Sequence, residues 1–253
     1  MPFPASRRSP SYFGSNSNGL ASGNSVLEAT AHALAEVIER DVYSFYLMDD
    51  VSALVEPDTF PSSVRRIRRA IGRAGLTLYV RSVPNRFGIP FFTATLVDEH
   101  RIDPLFVNGG HGCHPDRAVA ITRAVTEALQ SRLSFIHGGR DDLADAHARY
   151  EGWTPARRVA HAQRVIALAA RREPAVRFDD VDAPPPSRTV RDLIASMTTA
   201  IRRVHATRVL RVCYTPPSLP LQVVRVLVPG LEFFTMTSGR VGRRLGDHVS
   251  RLC

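Results

Sequence analysis

The chain has 253 residues, 44% of them hydrophobic and 23% charged, which predicts a soluble globular protein of one large domain or two small ones. No run of about 18 apolar residues occurs, which argues against a helical membrane span, and the N-terminus lacks the apolar region of a secretory signal, so the cytoplasm is the expected compartment. The formal net charge is +9, but every basic residue counted is arginine, dispersed in pairs such as Arg65-Arg66, Arg171-Arg172 and Arg243-Arg244 rather than drawn into a phosphate-tracking stripe, which argues against nucleic acid as a partner.

Residues 1–17 are expected to be irregular, and Ser, Gly and Asn keep a loop composition up to Gly23. A helix is predicted next, through Arg40 and on toward Met48, with Asn24 where an N-cap belongs. At about 100° per residue, Glu28, His32 and Glu39 share one side of it, with Glu36 and Arg40 just beyond. Val26, Leu27, Leu34, Val37 and Ile38 take the opposite, core-facing side. A second helix is expected over 61–71. Strands are expected over 76–82 and 91–97, separated by the Pro84–Pro90 turn region.

Gly109-Gly-His-Gly-Cys-His-Pro115 reads as a tight loop leading into a helix that reaches about Phe135, with Pro115 in its first turn. Further helices are predicted over 153–170 and 189–205, and two strands over 207–214 and 221–228. Helices and strands intermix, which predicts an α/β (α+β) fold with mixed sheets packed against helices. One stretch echoes another: Ala33-Leu-Ala-Glu36-Val-Ile-Glu39-Arg40 resembles Ala124-Val-Thr-Glu127-Ala-Leu-Gln130-Ser-Arg132, an internal pseudo-repeat.

A stripe of carboxylates suits a hard cation that also carries nucleotide phosphates. From geometry alone, a solvated face with Glu36 and Arg40 as an ordinary i,i+4 pair is the simpler reading. In the second copy Glu127 and Gln130 share a face. Arg132 falls within the apolar stripe of Val119, Ile121, Val125, Ala128 and Leu129, so it needs a carboxylate or phosphate partner. His111 and His114 around Cys113 lack companion ligands for zinc or an orienting third group for a thiol nucleophile. A minority reading lets the backbone N–H groups of that loop help bind an anion. Cys113, Cys213 and Cys253 suggest no disulfide framework. With no lysine, a P-loop is excluded, and no dinucleotide or hydrolase motif is present.

Asn18-Gly-Leu-Ala-Ser-Gly-Asn24, Glu28-Ala29 and Ala33-Leu-Ala-Glu-Val-Ile-Glu-Arg-Asp41 together resemble the central motif of the YcaO-like family. So do Gly110-His-Gly-Cys-His-Pro-Asp116, Arg123-Ala-Val-Thr-Glu-Ala-Leu-Gln-Ser-Arg132 with Arg140-Asp-Asp142, and Val228-Pro-Gly-Leu-Glu232. The resemblance places a YcaO-like domain over 18–253 and is closest in style to members that work beside a TfuA partner. It implies ATP and Mg²⁺ as ligands and phosphorylation of a peptide backbone amide, leading to an azoline or, with external sulfide, a thioamide. The implied substrate is a ribosomally made peptide or a ribosomal protein, and a homodimer is compatible with it. Carried over by matching position, Glu28 and Glu39 are implied Mg²⁺ ligands, and Asn24, Glu36, Arg40, Glu127, Gln130 and Arg132 are implied to line the nucleotide site. No catalytic base is assignable. The family's earlier Ser…Glu…Glu-Arg helix finds no match before Asn18. The domain is therefore expected to be partial, with its first ATP motif missing, and the alternative is a non-catalytic, partner-binding subunit.

Overall fold

A computed structural model describes residues 16–138, 148–205, 208–216, 218–235 and 240–252. In chain order the elements are β1 (Leu20–Gly23), α1 (Val26–Tyr46), β2 (Ala53–Val55), α2 (Ser62–Arg73), β3 (Leu76–Ser82), β4 (Phe91–Asp98) and β5 (Val107–Cys113). There follow α3 (Arg117–His137), α4 (Pro155–Ala170), β6 (Ala175–Val176), α5 (Val190–Val204), β7 (Leu210–Cys213), β8 (Gln222–Leu227) and α6 (Arg243–Val249). The strands form two sheets, one of order β1-β8-β7 and one of order β5-β4-β3-β2-β6. All pairings are antiparallel except β2 with β6. The expected mixed α/β architecture is therefore present.

Two cores follow from where the helices lie. In the first, Leu34, Val37, Ile38 and Val42 of α1 join Met197 and Ile201 of α5, Val224 and Val226 of β8, and Phe91 and Cys113 from the five-stranded sheet. In the second, Ala120, Ile121, Ala124, Val125 and Ala128 of α3 and Val64 and Ile71 of α2 cover Leu78, Val80, Phe92, Ala94 and Leu96. Sheet alternation separates the two sets. Along β4, Phe91 points to the first core, while Phe92, Ala94 and Leu96 belong to the second.

The run 109–115 is not the tight loop expected from its glycines. Gly109 to Cys113 belong to β5, paired residue for residue with β4 from Phe91↔Cys113 to Thr95↔Gly109. Glycine here serves close approach rather than turning. A Cβ on Gly110 would strike the backbone of Ala124 and Ala128, and one on Gly112 would strike that of Ala120 and Ala124. The alanines of α3 and the glycines of β5 thus allow backbone-to-backbone packing. His111 and Cys113, on the alternate positions, face the other way.

The helix starts also differ from expectation. Ser25, not Asn24, caps α1, its Oγ accepting from the Glu28 N–H at 3.2 Å. Asp116, not the Pro115 turn, caps α3 by accepting from the Ala118 and Val119 N–H groups. Strands β1, β2 and β6 and helix α6 lay in segments read as loop or left unassigned. In the predicted apolar stripe of α3, Ile121, Val125 and Ala128 are buried, whereas Val119 is exposed. The Arg140-Asp141-Asp142 motif lies outside the described residues, as do residues 1–15, Thr207 and Cys253.

Because the Gly110 and Gly112 contacts are with backbone, neither substitution can be absorbed by a side-chain shift. Gly110→Ala and Gly112→Ala are each expected to destabilise the fold by about 1–3 kcal/mol or more. Urea denaturation monitored by circular dichroism measures this, with Gly109→Ala, whose Cβ would meet nothing within 4 Å, as the mild control.

Candidate active site

Helices α1 and α3 are each 21 residues long, and both their first and last residues are 91 positions apart in the chain. The echo between them is thus the sequence trace of two strand–helix units, β1–α1 and β5–α3. Both strands are sheet edges, and a cleft of about 800 Å³ opens between the two units. Leu20, Ala21 and Ser22 of β1 line it with His32, Glu36 and Glu39 of α1, and Gly109 and His111 of β5 line it with Arg123, Glu127 and Gln130 of α3.

Each edge strand serves the glutamate of one helix. The His111 N–H donates to the Glu127 carboxylate at 3.2 Å, and the Gly19 N–H beside β1 hydrogen-bonds Glu36. Both carboxyls nevertheless have raised pKa values, because burial disfavours their charge more than these donors and Arg40 favour it. Glu127 is exposed as a residue, but its carboxyl reaches the cleft wall where protein replaces water. Glu39 is pushed up to about 7, first by burial and then by the neighbouring Glu127 and Glu36 charges, against Arg40 and Arg123. Three carboxylates therefore repel one another in a poorly solvated cleft.

That donor set fits a hard cation. Among the described residues, no group of three or more His, Cys, Asp or Glu side chains is arranged to hold a metal ion by itself. Mg²⁺ commonly takes only one or two carboxylates and completes its octahedron with water and phosphate oxygens. The carboxylates of this cleft suit that partial role.

The remaining predicted residues lie at graded distances from this centre. Asn24 and Glu28 bind each other at the start of α1, with the Asn24 N–H and Nδ2 donating to the Glu28 carboxylate at 3.0 and 3.1 Å. One turn on stands His32, which senses the Glu28 charge. Neither Asn24 nor Glu28 lines the cleft wall itself. Arg40 lies 4.0 Å from Glu36 in an i,i+4 ion pair, its Nε buried without a hydrogen-bond partner among the described residues. Arg132 turns away from the cleft and donates to Asp98 of β4 at 2.9 Å, so the carboxylate its apolar setting demands comes from a strand.

His111 packs against Tyr43 with ring centroids 4.3 Å apart and planes tilted by 49°, and burial holds its pKa down to about 4. It is a neutral wall of the cleft. Cys113 is fully buried and its thiol pKa is pushed well up, so a thiolate nucleophile has no support there. Of the backbone N–H groups that the loop reading offered to an anion, that of His111 donates to Glu127 instead. Sequence reasoning missed Arg123 and Gly19, which became visible only once the helices were placed face to face.

The family model described as YcaO cyclodehydratase, ATP- and Mg²⁺-binding, matches residues 1–232. The chain belongs to the YcaO family. It is 34% identical over 237 residues to an uncharacterized protein in the tfuA 3′ region of Rhizobium leguminosarum bv. trifolii, covering 88% of this chain and 54% of that protein. It is 31% identical over 245 residues to an uncharacterized protein of Methanothermobacter thermautotrophicus, covering 94% and 61% respectively. The chain thus spans little more than half the length of these relatives. The YcaO protein of Methanopyrus kandleri, solved with AMPPCP and Mg²⁺, superposes with a TM-score of 0.74 at 24% identity over 91% of this chain and 59% of that one. A heterocyclase in complex with substrate and cofactor gives 0.73 at 22% identity, covering 97% of this chain and 31% of that one. ATP and Mg²⁺ are the ligands of the YcaO family, as its motifs implied. Among the described residues no helix is long and apolar enough to cross a membrane.

The raised pKa of Glu39 has a consequence for stability. In the unfolded chain this carboxyl ionises near 4.5 and in the folded chain near 7, so folding retains a proton between those values. Stability of the ligand-free protein is therefore expected to fall as pH rises from about 4.5 to 7 and then to level off. Glu39→Gln is expected to remove this contribution and to raise stability at pH 8 by roughly 1–3 kcal/mol. Denaturant titrations of both proteins from pH 5 to pH 8 check the sign: a Glu39→Gln variant less stable than wild type at pH 8 contradicts it.

Proposed function

We propose that this chain takes part in ATP-dependent activation of a peptide backbone amide, and that the cleft between α1 and α3 is its nucleotide–Mg²⁺ site. The carrying observation is the meeting of Glu36, Glu39 and Glu127 from two separate helices in one cleft, where the Glu127 charge raises the pKa of both Glu36 and Glu39 and the Glu36 charge raises that of Glu39. Glu39 would be a ligand to the cation, with Glu36 and Glu127 adding carboxylates on the same cleft walls. Glu28, the other metal ligand implied by motif, would close the site from the start of α1 with Asn24 fixing its carboxylate. Gln130 supplies a neutral amide on the same wall, and Arg40 offsets carboxylate charge from behind. Arg132 is proposed to act indirectly, by tying α3 to Asp98 of β4.

In this reading ATP gives its terminal phosphoryl group to the amide oxygen, ADP leaves, and phosphate departs when a Cys, Ser or Thr side chain or sulfide attacks the activated carbon. Phosphoryl transfer asks a protein mainly for positioning and charge neutralisation. The residues here are suited to that: carboxylates repelling one another lose that repulsion when a cation binds, and the buried walls around His111 exclude water. A ribosomally made peptide or a ribosomal protein is the proposed substrate. The likeness to a protein in a tfuA 3′ region supports a TfuA-like partner and hence thioamide formation over azoline formation.

Isothermal titration of the full chain with ATP and Mg²⁺ tests the reading. Binding is expected, and Glu39→Gln and Glu36→Gln are each expected to weaken it roughly tenfold or more. Correctly folded protein that binds no ATP at any Mg²⁺ concentration would sink the proposal in favour of a non-catalytic, partner-binding subunit.

A further inference from the structure

Strand β7 is an outer edge of the three-stranded sheet, and all of its residues from Leu210 to Cys213 are exposed. Antiparallel pairing sends the main-chain groups of successive residues to opposite sides of a strand. The Tyr214 N–H donates to the Val223 carbonyl at 2.9 Å, so Tyr214, Val212 and Leu210 bond toward β8. The N–H and C=O groups of Arg211 and Cys213 therefore point off the sheet, and no described residue pairs with them. Edges of this kind are commonly blunted by proline, a bulge or a covering element. Strand β7 has no proline, and its register with β8 runs unbroken from Leu210↔Leu227 to Cys213↔Val224.

Side chains around this edge say what it accepts. Helix α1 covers one face of the sheet, packing on Val224 and Val226 of β8. The other face carries an apolar strip: Leu210 and its cross-strand partner Leu227 are 46% and 40% exposed, and Val212 and Tyr214 are 44% and 57% exposed. Charge at the edge has one sign. From Leu193 to Leu231 the chain has five arginines and no Asp or Glu. Arg211, on the α1 side of β7, donates to the Thr30 hydroxyl at 3.1 Å. Among the described residues no carboxylate forms an ion pair with Arg208 or Arg211.

We propose that β7 is a docking edge for an extended acidic peptide segment, which joins the sheet as a fourth strand. This does not depend on the nucleotide reading of the cleft, which opens at the opposite, β1 edge of the sheet. Main-chain bonds to Arg211 and Cys213 hold any extended backbone, and the side chains select the sequence. Residues of the segment alternate between the two faces. Apolar ones lie beside Leu210, Val212 and Tyr214, and acidic ones lie beside Arg211 as cross-strand pairs of opposite charge. A second copy of this chain suits the edge less well, because it brings the same acid-free arginine segment against itself. Nucleic acid would use the arginines but leave the apolar strip and the outward C=O groups without partners.

The test titrates a fluorescein-labelled peptide of alternating valine and glutamate into the full chain, followed by anisotropy, with residue-resolved amide hydrogen exchange by NMR in parallel. Saturable binding is expected, with exchange slowed at Arg211 and Cys213. A peptide alternating valine and lysine is expected to bind roughly tenfold more weakly or worse. Arg211→Glu is expected to weaken the glutamate peptide by roughly tenfold and to strengthen the lysine peptide. Cys213→Pro removes an outward donor while keeping the β7–β8 hydrogen bonds, and is expected to weaken both peptides. Where the proline lowers the melting temperature, Arg211→Glu, which changes an exposed side chain, decides. Failure of the wild type to bind the glutamate peptide, equal affinity for both peptides, or unchanged exchange at Arg211 and Cys213 in the complex overturns the proposal. Protection of those two amides that grows with protein concentration in the absence of peptide overturns it in favour of a second copy. Binding of a single-stranded RNA oligomer but not of the peptide overturns it in favour of nucleic acid.

Discussion

The cleft depends on how closely α3 can lie on β5. Glycine at 110 and 112 and alanine at 120, 124 and 128 bring helix and strand backbones together. That approach carries Glu127 to within hydrogen-bond reach of the His111 N–H, and it sets Arg123 over the Cys113 carbonyl at the same edge. A side chain on either glycine would lift α3 and move the carboxylate and the guanidinium away from α1 together. The electrostatics of the site are thus set by a steric condition on its far side, and packing comes before charge in the causal order.

The same edge explains why the carboxylates can be both close and strained. An edge strand leaves N–H groups unpaired, and these normally go to water or to a partner chain. Here an N–H from the β5 edge and one beside the β1 edge are taken by Glu127 and Glu36. One such donor per carboxylate does not offset the loss of water, and Glu39, with its two acidic neighbours, stays raised to about 7. The protein stores electrostatic repulsion in the ligand-free state that a bound cation can relieve. An isolated carboxylate on a solvated helix face would carry no such stored repulsion and would gain little from a weakly bound Mg²⁺.

Much of this was legible in the sequence, but unevenly. The boundaries of α1, β3, β4 and α5 followed from periodicity and turn residues, because amphipathic helices and apolar strands announce themselves locally. The β5 strand did not. Its glycines carry the composition of a turn, and their reason for being there is a helix whose contacting residues lie 8 to 18 positions later in the chain. Short edge elements such as β1, β2 and β6 have too few residues to show a period. Glu36, Glu39 and Glu127 could be chosen as one site through the echo between the two helices and through family resemblance. Spacing alone left them as well placed in solvent. Arg132 looked like a ligand residue because an arginine in an apolar stripe needs an anion, but the nearest anion was Asp98, which no helical periodicity could reveal.

Arg123 shows the limit from the other direction. Within its own helix it is a half-buried arginine like Arg117, without the apolar-stripe position that marks Arg132. Its character comes from being paired across the pseudo-repeat with His32 rather than with an acid. A duplicated strand–helix unit places equivalent positions face to face, so identical residues there would put like charges in contact. The two copies instead carry a neutral acceptor and a donor at this point, and a glutamate and a glutamine at positions 39 and 130. Divergence between the copies is therefore where charge asymmetry enters the cleft. Shared residues such as Glu36 and Glu127 supply the paired acidic wall, and the differing ones make its two sides unlike in charge.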